Sequence, residues 1–65
     1  MIADIDIWRC AALMINNYGD TADIEAASEA DAMLAEGDID GQRVWMRIAK
    51  AIDDLMSVRT DESRQ

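Results

Sequence analysis

Two glycines divide this chain into three segments, each with the apolar spacing of an α-helix. Gly19 and Gly37 each follow one of the first two segments. Glycine commonly ends a helix because it adopts the left-handed backbone conformation at little steric cost. The chain has no proline, and no segment alternates apolar and polar residues for long enough to form a strand. The sequence therefore predicts an all-α fold, a small antiparallel three-helix bundle with short turns.

The first two helices have recognisable start signals. The first is predicted to run from Asp4 or Asp6 to Asn17 or Tyr18, with an aspartate as its N-cap. The second is predicted to follow Gly19 directly and to end at the glutamate before Gly37. Its early acidic residues favour the positive end of the helix dipole. The expected boundaries of this second helix are Asp20 or Thr21 at the start and Glu36 at the end.

The third helix is predicted to begin after Asp40, which would act as its N-cap. Ile39 and Val44 then occupy the two positions of a hydrophobic staple. The helix is expected to end near Val58, because the residues that follow are polar. This division predicts one domain of residues 1–58 and a polar C-terminal tail of residues 59–65.

The core is predicted by placing successive residues about 100° apart around each helix. In the third segment the apolar residues form one stripe, opposite a face of charged side chains. Both tryptophans lie centrally in their stripes, so burial is a better interpretation than ligand stacking. The predicted core consists of Trp8, Ile15, Leu34, Trp45, Ile48, Ile52 and Leu55.

The first helix has more apolar surface than two small neighbours need. Its apolar stripe covers about half of the circumference, and Cys10 and Leu13 extend it into the side expected to face water. A symmetric homodimer is the commonest way to cover such a surplus. The predicted interface consists of Ile7, Cys10, Leu13 and Met14.

Charge is distributed unevenly along the chain. The interval between Arg9 and Arg43 holds eight acidic residues and no Lys or Arg, and the whole chain carries a net charge of −8. Nucleic acids and anionic lipids both attract cations, so neither is an expected partner. A helix-turn-helix interpretation would use Arg43, Arg47 and Lys50. It is disfavoured because three cations are too few beside so many acids.

The sequence has few residues of the kinds that catalyse reactions or bind metal ions. It has no histidine, and Cys10 has no evident base beside it, so we expect no catalytic residue and no cofactor. Residues Glu36–Gly41 imitate the first six positions of a calcium loop. The bidentate carboxylate required at the twelfth position would be Arg47, so no metal site is expected.

The length and the cysteine content indicate a small intracellular domain. A chain of 65 residues forms at most one domain, and its single cysteine allows no internal disulfide. The longest apolar run is far shorter than the ~20 residues that span a bilayer. The first residues lack the basic and apolar regions of a secretory signal. The sequence therefore predicts a cytoplasmic protein outside the membrane.

The arrangement of glycines and tryptophans resembles that of a known family. The pattern includes Trp8-x-x-Ala11, Gly37-Asp38-x-x-Gly41 and Trp45-x-x-Ile48 within residues 7–56. It is similar to that of short alphaproteobacterial proteins grouped as a domain of unknown function. The resemblance implies a compact helical unit and supplies no activity, cofactor or site residue.

Two functions from different classes remain open on the sequence alone. The first is a protein-interaction module without catalysis, which self-associates or binds a larger partner. The alternative is an acidic inhibitor or nucleic-acid mimic, of the kind phages use, which would occupy a basic groove on its target. A monomer with strong, salt-sensitive binding to a basic protein would favour the alternative.

Overall fold

The computed structural model describes the backbone of residues 4–63 and the side chains of residues 4–57. These residues form three α-helices, with a single 3-10 turn between the first two and no strand. The predicted all-α class is confirmed. The elements are α1 at Asp4–Tyr18, the 3-10 turn at Gly19–Thr21, α2 at Ala22–Ala35 and α3 at Ile39–Ser63.

Both predicted glycine stops are confirmed by the backbone. Gly19 has φ 60° and Gly37 has φ 80°, values that side-chain-bearing residues adopt only with strain. At the end of α2, the Asp38 N–H donates to the Met33 carbonyl at 2.8 Å. The Gly37 N–H donates to the Leu34 carbonyl at 3.0 Å. This pair of bonds is a Schellman motif, which satisfies carbonyls that the helix end leaves free.

The N-cap of α3 is Asp38, so the prediction of Asp40 is wrong. The Asp38 carboxylate accepts the Gly41 N–H at 2.9 Å, and the Asp38 carbonyl accepts the Gln42 N–H at 3.0 Å. Because the Schellman turn ends at Asp38, that residue is already placed to start the next helix. Ile39 is therefore the first residue inside α3, and the predicted staple with Val44 is wrong as well.

The cap assignment predicts different effects for two neighbouring aspartates. Asp38→Ala should lower the unfolding free energy by about 1 kcal/mol, because one N–H of the first turn loses its acceptor. For a domain of this size, that loss lowers the Tm by roughly 4–8 °C. Asp40→Ala should lower it less, since only a favourable interaction with the helix dipole is removed. Thermal melts followed by circular dichroism compare the two. A larger loss for Asp40→Ala would contradict the assignment.

The third helix is longer than predicted, since it continues past Val58 to Ser63. Polar composition alone does not end a helix, and no glycine or proline follows Val58 to stop it. The side chains of the predicted tail, residues 59–65, lie outside the described part of the chain.

Alanines form most of the core. The most extensive helix interface joins α2 to α3, the next joins α1 to α3, and that between α1 and α2 is the smallest. Methyl groups therefore fill much of the space between the helices. Five of the eight buried residues are alanine; the full set is Ile7, Ala11, Ala22, Ala26, Ala30, Ile48, Ala51 and Ile52.

Two of the predicted core residues lie at the surface. Trp8 is 42% exposed and Leu34 is 50% exposed. The helices contact one another through the alanines beside these two residues. Helices packed through methyl groups lie too close together to hold an indole or a leucine side chain between them. Ile48 and Ile52 are buried as predicted. The remaining predicted core residues, Ile15, Trp45 and Leu55, are half-buried and pack against the core.

Candidate interaction surfaces

A shallow cleft lies between the start of α1 and the middle of α3. Its volume is about 270 Å³. The floor is apolar and the rim is charged, because α1 meets α3 through Ile7 while acidic and basic residues flank that contact. The lining residues are Asp4, Ile7, Trp8, Arg47, Lys50, Ala51 and Asp54.

Each cation at the rim of the cleft is held by a carboxylate. Arg47 donates to the Asp4 carboxylate across the two helices. Lys50 Nζ lies 3.5 Å from Asp54 Oδ2, one helical turn along α3. The charges therefore cancel in pairs. Both pairs are solvent-exposed, so each contributes well under about 1 kcal/mol to stability. The residues that line the cleft therefore carry no excess of positive or negative charge that could bind an ionic ligand.

The four predicted interface residues differ in how exposed they are. Leu13 is 59% exposed, and Cys10 is exposed beside it on α1. Ile7 lies in the core, so the expectation that it adds exposed apolar surface is wrong. Met14 is partly buried and packs against the core. The structure thus leaves Leu13 and Cys10 as the accessible part of the predicted patch.

Sequence reasoning missed further exposed apolar side chains on α2 and α3. Leu34 at the end of α2 is 50% exposed, and Met46 on α3 is 54% exposed. The Gln42 amide donates to the Met46 sulfur at 3.2 Å. Arg43 and Lys50, three and four residues from Met46, are its neighbours on the same face of α3, and both are exposed.

A signal for these exposed side chains is present in the sequence of α2. The helix buries Ala22, Ala26 and Ala30 on one side, yet it also carries Ile24 and Leu34 where they are half exposed or more. A helix with apolar side chains on both sides is expected to be covered on both sides. The assignment of Leu34 to the core concealed this pattern.

The residues weighed as a calcium loop have a structural role. Asp38 caps α3, and a Cβ placed on Gly41 would lie 2.6 Å from the Asp38 Oδ2 atom. Glycine at position 41 is thus explained by the close approach of the cap. Among the described residues, no cluster of three His, Cys, Asp or Glu side chains is arranged to hold a metal ion. No helix in the same part of the chain combines the length and hydropathy needed to cross a bilayer.

Comparison with protein-family models, curated proteins and solved structures finds no match to this chain. The resemblance of its glycine and tryptophan pattern to a family of short alphaproteobacterial proteins stays a prediction.

Proposed function

We propose that this chain is a small acidic, cytoplasmic protein-interaction module without catalytic activity. Its working unit is an antiparallel three-helix bundle of residues 1–58, which forms a homodimer or binds a larger protein partner. One observation carries this proposal: large apolar side chains lie on the surface of all three helices, with Leu13 exposed to 59%. Isolated apolar side chains are normal on protein surfaces, but several of this size on so small a body indicate association.

The surface area of the chain supports the same proposal. The single chain exposes 4806 Å², whereas a folded monomer of its 7.2 kDa mass typically exposes about 4,100 Å². Its elongated shape, 44 × 22 × 16 Å, is one reason for the surplus.

The chemistry of the side chains favours binding over catalysis. The chain has no histidine, and Cys10 lies exposed on α1 outside the cleft. At the cleft, each cation is already paired with a carboxylate. A reaction would need a positioned base or nucleophile at a site that excludes water. An open cleft with exposed ion pairs is better suited to contact with another protein.

A second candidate function, an acidic inhibitor or nucleic-acid mimic, is favoured by the charge of α2. This helix carries Asp23, Glu25, Glu29 and Asp31, all exposed, and no Lys or Arg. Such a surface would attract a basic groove on a target protein, with binding that weakens as salt is added. The two proposals predict different oligomeric states in solution, because an inhibitor of this kind is expected to be a monomer.

Leu13→Glu should abolish self-association while helicity stays close to that of the parent. Leu13 is the largest exposed apolar residue of the predicted patch, so a carboxylate buried there on association would oppose association without disturbing the core. Sedimentation equilibrium at micromolar concentrations measures the assembly, and circular dichroism measures helicity.

Ser28→Glu is the matched control for this experiment. It adds the same charge at an exposed position on another helix, α2. This variant should associate as the parent does. If the parent itself sediments as a 7.2 kDa monomer at every concentration, self-association is wrong and the acidic-inhibitor proposal gains weight.

A further inference from the structure

We draw no further inference here: the strongest candidate, the exposed face of α3 on which Ile39 and Met46 lie beside Arg43 and Lys50, carries none, because nothing in the structure shows what covers it.

Discussion

Ile52→Ala should lower the unfolding free energy by about 2–5 kcal/mol, the usual range for truncating a buried isoleucine to alanine. Ile52 has no exposed surface and is the largest side chain that the described residues bury completely. The alanines around it have no flexible side chains that could move into the space left behind. Because a domain of this size has a total stability on the order of 3–5 kcal/mol, most of the molecules should unfold.

Urea and thermal unfolding followed by circular dichroism measure this loss. Ile24→Ala is the matched control, because it removes the same atoms from a side chain that is 64% exposed. The control should change the unfolding free energy by no more than about 0.5 kcal/mol. If Ile52→Ala retains a cooperative melt within a few degrees of the parent, the core does not lie where the structure places it.

The helices and their ends were largely predictable because local signals set them. Glycines mark the ends of α1 and α2, and both adopt the left-handed conformation that makes glycine suitable there. The start of α3 was predicted at the wrong aspartate, because Asp38 and Asp40 are chemically equivalent as caps. The Schellman turn at the end of α2 decides between them, and its geometry is not visible in composition.

The positions of the large apolar residues were less predictable. Apolar periodicity identifies the side of a helix that is buried, but it does not tell whether an alanine or its larger neighbour occupies the centre of that side. Here Ala11 lies at the centre of the α1 contact and Trp8 lies at its edge. On α2 the same preference for alanine leaves Leu34 outside the core. Tertiary packing decided these positions.

The surfaces proposed to bind partners follow from the same preference. A core of alanines leaves large side chains on the outside, where they are available to a partner. The sequence predicted an exposed Leu13 because its phase on α1 opposes the apolar stripe, and the structure exposes it. The exposure of Leu34 was not predicted, because it depends on which residues of α2 meet α3, and that is a property of the assembled fold.

Because the helices pack through buried alanines, adding volume at one of these alanines should also destabilise the protein strongly. Ala26→Leu should lower the unfolding free energy by about 1–3 kcal/mol or more. Ala26 has no exposed surface, and it belongs to the core cluster that includes Ile48 and Ile52. A leucine there requires α2 to move away from α3, which weakens the most extensive helix interface in the molecule.

The residue next to Ala26 provides the control. Ala27→Leu adds the same atoms on the exposed side of α2, so the unfolding free energy should change by no more than about 0.5 kcal/mol. Leucine and alanine both favour helices, so the comparison isolates the effect of volume at the interface from that of helix propensity. Urea denaturation of the two variants and the parent measures the difference. Equal stability of the two variants would mean that α2 packs against the rest of the protein through another face.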